Sequence, residues 1–358
     1  MKLFEKIIYL DNSRKTIKFC GLKLWDRQNK NNETIKKFLF GIIKIRRTKT
    51  RKKIYILGIN IYSKCDKQLE MLQEVINNIN NNINFTRANL RKDIQQAIID
   101  ETRMANAVSQ LHLNTFSKFK NCHKHQCIAI IGTGATLNHY QFTKNLIHVG
   151  LNKAFLANNI KKLDYHFAID YFAVKNYIEQ LKNYNCIKFI GKQANINLNL
   201  LNNETLESTC IPDRIADDIG ALRFYADAHR EKFFPNIEAC PLIDRGSIAF
   251  PALHFALYTA PQKIFLIGCD TNHNGYFDGS SGNQAWSLLG MALDGYKKFK
   301  SFVDIYYPTT EIISVNPVGL RGLFKDVYTR SYVAENPELF IGFENEIEYF
   351  EDIVQDIV

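Results

Sequence analysis

Residues 132–137 (GTGATL) form a glycine-rich turn after an apolar run, CIAII. Glycine lets the backbone approach a ligand closely, and the amides that open a following helix suit a phosphate. Gly132, Thr133, Gly134 and Thr136 therefore predict a phosphate-binding turn. Leu137 stands where the dinucleotide fingerprint has its last glycine, and the chain has no ATPase-type phosphate loop, so a tight turn without a ligand is the alternative.

A second polar segment, residues 266–279 (LIGCDTNHNGYFDG), follows a buried apolar run. It holds Asp270, Asn272, His273, Tyr276 and Asp278. It superficially resembles a calcium loop, yet it lacks the terminal Glu and follows a strand instead of a helix. No Asp-x-Asp pair occurs in the chain, so we expect neither a metal nor a cofactor. Arg, Lys and hydroxyl groups could neutralise a single phosphate.

Four more polar residues stand at predicted strand ends or helix starts. Asn152 can read a base edge or a ribose, and Asp170 can accept from ribose hydroxyls. Arg245 could hold a phosphate or a carboxylate, and Ser247 lies where a helix opens. Each of these residues also suits a turn or a helix cap, which leaves the structural alternative open.

Strands and helices alternate from residue 127 onward. CIAIIG, HVGLN, YHFAID, CIKFIG, KIFLIGCD and EIISVNP read as strands, and SIAFPALHFALYTA and MALDGYKKFKSFVDIYY as helices. This alternation predicts an α/β fold with a doubly wound, mostly parallel, Rossmann-like sheet that binds its ligand at the carboxyl ends of the strands.

The N-terminal third has a different pattern. IKFCGLKLW and IYILGINIY each predict a short strand with a glycine at a bulge or bend, and together they predict a small β-ribbon. Apolar spacing over residues 66–118 predicts a helical connector that packs on the main domain or on a second subunit, with a loop at the Asn-rich NNINNNIN. We predict three parts: residues 1–118, a nucleotide-sugar-binding domain over 119–335, and an acidic C-terminal helix over 336–358.

Charge and composition narrow the partners. The net charge is +10, and residues 1–56 carry 17 Lys and Arg against 4 Asp and Glu. This basic run has three possible interpretations: a solvated face, a surface for anionic lipid headgroups, or a surface for nucleic acid. The run lacks interleaved aromatic residues and the chain lacks known nucleic-acid-binding motifs, which disfavours nucleic acid. The eight cysteines are not paired in CxxC motifs, and no signal peptide or membrane span is recognisable. We therefore predict a cytoplasmic protein that can lie on the inner face of the cytoplasmic membrane.

The order of these motifs resembles the bacterial sialyltransferases of glycosyltransferase family 42 and the related motility accessory factors and pterin pyrophosphokinase. The resemblance covers roughly residues 127–326 and implies a GT-A-variant sheet. It implies a metal-independent, inverting transfer of sialic acid or a related nonulosonic acid from a CMP-activated donor. A glycolipid or polysaccharide of the lipopolysaccharide or capsule would be the acceptor, and a homo-oligomer is a candidate assembly.

The resemblance also implies roles for individual residues. Thr133, Gly134 and Thr136 would line the phosphate turn, Asn152 would contact the cytidine or ribose, and Asp170 would stand where the family has a nucleotide-contacting Asn. Ser247 would contact the donor, together with Arg245 and Asn272. Asp270 would hold the ribose or position the following loop, and Tyr276 would donate its phenol to the leaving phosphate.

The catalytic base departs from the family pattern. The family has a His in a flexible loop after the Asp strand, and the corresponding SSGNQAWSLLGMALDGYKK has none. His273 is the nearest candidate and Asp278 an alternative, whereas His254 is predicted to be a satisfied core residue. Two other functions therefore remain open: a transferase or pyrophosphokinase-like enzyme with another nucleotide, and a non-catalytic polysaccharide assembly factor.

Overall fold

The computed structural model describes residues 4–8, 14–19, 22–30, 33–38, 43–47, 52–56, 59–61, 66–194, 210–227, 230–281, 286–355 and 357. The chain divides into two compact units, residues 1–96 and 97–358. The predicted three-part division at residues 118 and 335 stays a prediction.

The first unit contains a seven-stranded antiparallel sheet in which neighbouring strands follow one another along the chain. Its strands are β1 (Phe4–Ile8), β2 (Arg14–Phe19), β3 (Leu22–Lys30), β4 (Glu33–Phe38), β5 (Ile43–Arg47), β6 (Lys52–Ile56) and β7 (Ile59–Ile61). The predicted β-ribbon is thus present and larger than expected.

The two glycine-centred segments are hairpins. The prediction of one bent strand for each is wrong, because β2 pairs antiparallel with β3 and β6 pairs antiparallel with β7. Only two residues separate the partners in each case, Cys20 and Gly21 or Leu57 and Gly58, and these lie outside the described residues. Two-residue connections that contain glycine are typical of hairpins, so the pattern indicated a turn between strands.

A buried ion pair fixes the register of β2 against β3. Asp26 lies opposite Thr16 and accepts a hydrogen bond of 2.8 Å from its hydroxyl. Arg14 donates to both carboxylate oxygens of Asp26 at 3.0 Å. A one-residue slip would separate these groups and leave a buried carboxylate without its partners, which makes that register costly.

Helix α1 (Asp66–Phe116) has 51 residues. The prediction of a loop at NNINNNIN is wrong, since these residues lie inside the helix. Asn has a low intrinsic helix propensity, but its cost of less than about 0.7 kcal/mol per residue is too small to exclude it from a helix.

The second unit contains a nine-stranded sheet, and every pairing in it is parallel. The strands are β8 (Cys127–Ile131), β9 (Leu146–Leu151), β10 (Tyr165–Ala168), β11 (Ile187–Gln193), β12 (Leu222–Asp227), β13 (Leu242–Ile243), β14 (Lys263–Ile267), β15 (Glu311–Val315) and β16 (Lys325–Val327). Their order is β13-β12-β11-β10-β9-β8-β14-β15-β16. This arrangement confirms the predicted α/β, Rossmann-like fold; sequence reasoning missed β12, β13 and β16.

Helices cover both faces of this sheet. They are α2 (Tyr171–Val174), α3 (Ile178–Asn183), α4 (Asp213–Asp218), α5 (Ala249–Tyr258), α6 (Trp286–Tyr306), α7 (Arg330–Glu335) and α8 (Phe350–Gln355). Alternate residues of β8 enter opposite cores: Ile128 and Ile130 join α5 and α6, whereas Ala129 and Ile131 join the core that contains Phe350. A strand buried on both faces reads as a continuous apolar run, which explains CIAII.

The C-terminal tail forms less helix than its sequence pattern predicts. A 3₁₀ turn spans Glu344–Glu346, and α8 has only six residues. Phe350 is buried with its ring 5.3 Å from that of Phe265. Phe350 therefore packs on the sheet of its own chain, whereas Ile341 and Phe343 of the tail are exposed.

Within the described residues, no helix is long and apolar enough to cross a bilayer. The six described cysteines are all free thiols.

Candidate functional site

The strand order places a crevice between β8 and β14. From β8 the chain proceeds outward to β13 on one side, and then returns to β14 on the other side of β8. In open α/β sheets, ligands bind at such a reversal, outside the carboxyl ends of the strands. The two segments singled out from the sequence, residues 132–137 and 266–279, leave those two carboxyl ends.

Glycines pack the two loops directly against each other. Gly132 N–H donates to Ile267 O at 2.7 Å, and Gly134 N–H donates to Gly268 O at 2.8 Å. A Cβ atom on Gly132 would lie 2.2 Å from Gly268 O. The predicted close approach at this turn is therefore an approach between two backbones of the same chain.

Asp270 ties the glycine turn to the loop after β14. Its carboxylate accepts hydrogen bonds from Thr136 N–H at 2.9 Å and from the Thr136 hydroxyl, and it is only 5% exposed. A Cβ atom on Gly134 would lie 2.3 Å from Asp270 Cγ. The expectation of free amides here is wrong for Thr136, because Asp270 occupies its N–H. Burial raises the pKa of Asp270, although the Thr136 hydrogen bonds oppose that rise.

The loop after Asp270 folds back over the glycine turn. Tyr276 forms an antiparallel bridge with Gly134, and Phe277 N–H donates to Thr133 O at 3.0 Å. Tyr276 N–H donates a hydrogen bond to Ser280 O at 3.0 Å, which closes the loop between residues 276 and 280. Thr133, Gly134, Thr136, Asp270 and Tyr276 thus form one contiguous group.

Lys153 is a functional candidate that sequence reasoning missed. Its ammonium donates to Asp278 Oδ2 at 2.6 Å and to Ser280 Oγ at 2.8 Å, and it lies 4.3 Å from the centre of the Tyr276 ring. Partial burial alone would raise the pKa of Asp278, but the hydrogen bonds from Lys153 and Ser280 lower it to about 2. Lys153 directly follows Asn152 at the end of β9, so the strand-end argument could have included it.

Two amide side chains near the crevice have buried atoms without a partner. Asn152 follows β9 with a positive φ of 47°, and its Oδ1 accepts no hydrogen bond. Asn272 Nδ2 donates none, while its Oδ1 accepts from Asn274 N–H at 3.0 Å. A buried polar group without a partner costs about 1–3 kcal/mol, which a bound polar ligand or water can relieve.

Arg245, Ser247 and Asp170 follow strands other than β8, β9 and β14. Arg245 and Ser247 follow β13 at the edge of the sheet, where Arg245 pairs with Asp294 of α6 and Ser247 Oγ accepts from Ala249 N–H at 3.3 Å. Asp170 follows β10, is exposed, and caps α2 by accepting from Phe172 N–H at 2.8 Å. Asp170 therefore has the capping contact that its sequence position also allowed. The N-cap residue of α5 is Ile248, so the prediction of Ser247 as the cap is wrong by one residue.

Helix α6 touches both regions. Asp294 pairs with Arg245, and the buried Tyr296 lies near Cys269 and Thr271, where the chain leaves β14. Farther along the same loop, His273 and Asn274 are exposed.

The two histidines considered as bases differ in access. His273 is exposed on the loop after β14. His254 is 1% exposed among aromatic rings, which agrees with its predicted core position. The prediction that it is satisfied is wrong, because neither ring nitrogen has a hydrogen-bond partner.

A cleft of 380 Å³ opens beside Lys153 and the glycine turn. It is lined by Asn138, Leu156, Asn158, Asn159, Phe277 and Asp278. Asn138 Nδ2 donates to Phe277 O at 3.0 Å, and Asn159 Nδ2 donates to Leu137 O and Tyr140 O at 2.7 Å. The cleft volume is within the roughly 300–1,000 Å³ common for small-molecule sites. In the described part of the chain, no three His, Cys, Asp or Glu side chains cluster as metal ligands.

No protein-family model matches the chain, and no curated protein matches it in sequence. Among solved structures, one similar chain is the sialyltransferase CstII from Campylobacter jejuni, in complex with a substrate analogue, CMP-3FNeuAc. The TM-score is 0.32 at 13% identity, and the alignment covers 56% of this chain and 85% of that chain. A similarity of this size carries no argument about function, so the function has to follow from the residues of this chain.

Proposed function

We propose that this protein is a glycosyltransferase that moves sialic acid or a related nonulosonic acid from a CMP-activated donor to a glycolipid or polysaccharide acceptor. The observation that carries the proposal is Lys153, which lies beside Tyr276 and the glycine turn at the reversal of strand order. A nucleoside monophosphate linked to a sugar needs one such cation at its single phosphate.

Asp278 marks the position of the phosphate. Without a ligand, the Lys153 ammonium donates hydrogen bonds to the Asp278 carboxylate and to the Ser280 hydroxyl. The Lys153 side chain is 13% exposed. A phosphate oxygen can replace Asp278 there, because Lys binds phosphate as a point charge and charge-assisted hydrogen bonds are strong. The Tyr276 phenol would then donate to the same phosphate as the sugar bond breaks.

The nucleoside would occupy the adjoining cleft. Asn138 and Asn158 line it, and Asn152 lies next to Lys153 in the chain. Amide side chains offer both donors and acceptors, which suits the edge of a cytosine and the hydroxyls of a ribose. Asp270 acts as a positioning residue, because its carboxylate faces Thr136 inside the loops.

His273 is the preferred base. The acceptor hydroxyl would attack the anomeric carbon as the bond to the phosphate oxygen breaks, with inversion; CMP leaves and His273 takes the hydroxyl proton. Asp278 suits this role poorly while Lys153 and Ser280 donate hydrogen bonds to it, because these bonds lower its pKa to about 2 and a carboxylate with so low a pKa accepts protons weakly. His254 is too deeply buried to reach an acceptor.

Ligand-induced stabilisation tests the donor class. CMP is expected to raise the melting temperature more than UDP, GDP, NAD or ATP with magnesium, because binding to the folded state stabilises it. The substitution Lys153→Met should weaken CMP binding about 10- to 100-fold, the loss expected for a charge-assisted hydrogen bond of about 1.5–3 kcal/mol. Lys162→Met, which removes an exposed lysine paired with Asp164, is the matched control.

Transfer assays separate binding from catalysis. His273→Ala should abolish turnover of a CMP-activated nonulosonic acid and leave CMP binding intact. A larger shift with UDP or GDP would reject the CMP donor, and a larger one with ATP and magnesium would favour a pyrophosphokinase-like enzyme. CMP binding without any turnover in the unmodified chain would favour a non-catalytic assembly factor.

A further inference from the structure

His166 is a buried polar residue that contacts the end of β9. It lies on β10, it is fully buried, and its ring packs edge-to-face against that of Phe155, with ring centres 5.5 Å apart. Burial lowers the pKa of His166 to about 4. The imidazole is therefore neutral at physiological pH, so one ring nitrogen carries a proton and the other does not.

One hydrogen bond identifies the protonated nitrogen. The Nε2 atom of His166 lies 2.6 Å from the carbonyl oxygen of Asn152, and a carbonyl oxygen accepts but never donates. Nε2 therefore carries the proton and donates it to this bond. The other nitrogen, Nδ1, is buried without a hydrogen-bond partner among the described residues. The ring thus directs its one donor to the end of β9.

The acceptor carbonyl belongs to the peptide that joins Asn152 to Lys153. The chain changes there from β9 into a short 3₁₀ helix, Asn152–Leu156. Asn152 has a φ of 47°, in the left-handed region that residues other than glycine adopt infrequently. A hydrogen bond to its carbonyl favours one orientation of this peptide, and that orientation sets the direction in which Lys153 leaves the strand.

Lys153 depends on a defined backbone position to reach its partners. Its ammonium donates to Asp278 and Ser280, which lie 125 and 127 positions further along the chain. A lysine carries its charge on a flexible four-carbon stem. Such a side chain is held precisely only where surrounding hydrogen bonds fix the residues that carry it.

We propose that His166 is a positioning residue for Lys153: by donating to Asn152 O, it holds the peptide that places the Lys153 ammonium against Asp278. His166 then acts on the candidate site through Lys153, without contact to a ligand. The inference rests on the proposed function only for its consequence in catalysis, because the contact between Lys153 and Asp278 is present without a nucleotide.

The pKa of Asp278 reports on that contact. Although partial burial would raise it, hydrogen bonds from Lys153 and Ser280 lower it to about 2 from the ordinary 3.8. His166→Phe keeps a planar ring of similar size but donates no hydrogen bond, so the pKa of Asp278 should rise from about 2 toward 3.8. NMR titration of the Asp278 carboxyl carbon in the full chain, without nucleotide, measures this rise; Asp278→Asn assigns the signal by its loss.

Two further variants make the test specific. His166→Gln should keep the pKa of Asp278 near 2, because a Gln amide donates from nearly the same place as Nε2. His148→Phe is the matched control: His148 is also buried, but it lies on β9 and hydrogen-bonds the hydroxyl of Tyr140 at 2.8 Å. It should likewise leave the pKa of Asp278 unchanged.

A pKa of Asp278 that stays near 2 in His166→Phe would overturn the proposal, as would an equal rise in His148→Phe. Should His166→Phe fail to fold, the ¹⁵N chemical shifts of the His166 ring in the unmodified chain decide the matter. A proton on Nε2 agrees with the hydrogen bond to Asn152, whereas a proton on Nδ1 rules out that bond and the proposal with it.

CMP binding separates this inference from the proposed function. In a chain that binds CMP, His166→Phe should weaken binding by up to the roughly 10- to 100-fold expected for Lys153→Met, and it should add little in the double variant because the two residues act through one contact. Unchanged CMP binding in His166→Phe would overturn the role of His166 and leave the proposed function standing. No CMP binding by the unmodified chain would reject the proposed function, and the pKa of Asp278 would still decide the role of His166.

Discussion

The crevice between β8 and β14 differs from the N-terminal half of helix α1 in how far its side chains are buried. In the crevice, Asp270 is buried and Thr136 satisfies its carboxylate, while the apolar strands on either side are covered on both faces. Along α1, Ile83 and Leu90 are about half exposed. The sheet thus builds its interior from its own chain, whereas the helix leaves an apolar face that its own chain does not fully cover.

This contrast explains why the two regions should respond differently to substitution. Close packing transmits any added atom into the surrounding backbone, because the interior has no room to accommodate it. A substitution on a solvent-exposed helix surface changes stability mainly through helix propensity and through any contact with a partner. The following predictions challenge that contrast, from the largest expected effect to the smallest.

Gly132→Ala should destabilise the sheet unit severely. Its Cβ would lie 2.2 Å from Gly268 O, which is backbone and cannot swing aside. Overpacking of this kind costs about 1–3 kcal/mol or more, and we expect the upper end. The free energy of unfolding from urea titration measures the effect.

Gly290→Ala provides the control for that substitution. Gly290 lies in α6, and a Cβ there meets nothing within 4 Å. Replacing Gly by Ala inside a helix stabilises by about 0.5–1 kcal/mol. Equal losses at both positions would contradict the close approach of the two loops at the crevice.

His254→Leu should stabilise the protein at neutral pH by about 1–2 kcal/mol, because it removes a buried polar ring without hydrogen bonds. Burial lowers the pKa of His254 to about 3 from the usual 6.5. The unfolded chain therefore binds more protons than the folded chain between these values, and this histidine lowers stability as pH falls from 6.5 toward 3.

The pH dependence gives that substitution its own check. His112, His148 and His166 are also buried, and burial lowers the pKa of each to about 4. These three histidines should still destabilise the His254→Leu variant at low pH. The variant should lose only the contribution of His254 to the fall in stability between pH 7 and pH 5. Denaturation curves at pH 7 and pH 5 measure both effects; an unchanged acid sensitivity would mean that His254 is not buried in neutral form.

Asn81→Ala should have the smallest effect. Asn81 is exposed on α1, on the opposite side of the helix from Ile83, so mainly helix propensity changes, by less than about 0.7 kcal/mol in favour of the variant. Circular dichroism during heating should show a slightly more stable helix. A lower helical content would argue that this side of α1 makes a contact.

The sequence indicated the sheet through short-range patterns. Continuous apolar runs such as CIAII and KIFLI carry the signal of a strand buried on both faces, and β8 and β14 lie where those runs predict them. The same short-range patterns led to the wrong prediction for the two hairpins. A glycine between two apolar runs has the same pattern whether one strand bends there or the chain reverses, as it does between β2 and β3 and between β6 and β7. Antiparallel pairing decided between these options.

Sequence by itself determined that polar residues follow the buried strands, because hydrophobic burial and glycine flexibility are local properties of the chain. Only the tertiary structure decided which of those residues meet. The strand order brought Asp270 to Thr136 and Lys153 to Asp278, and left Arg245 and Asp170 at other strand ends. Contacts between residues more than 100 positions apart depend on strand order, which local residue patterns do not encode.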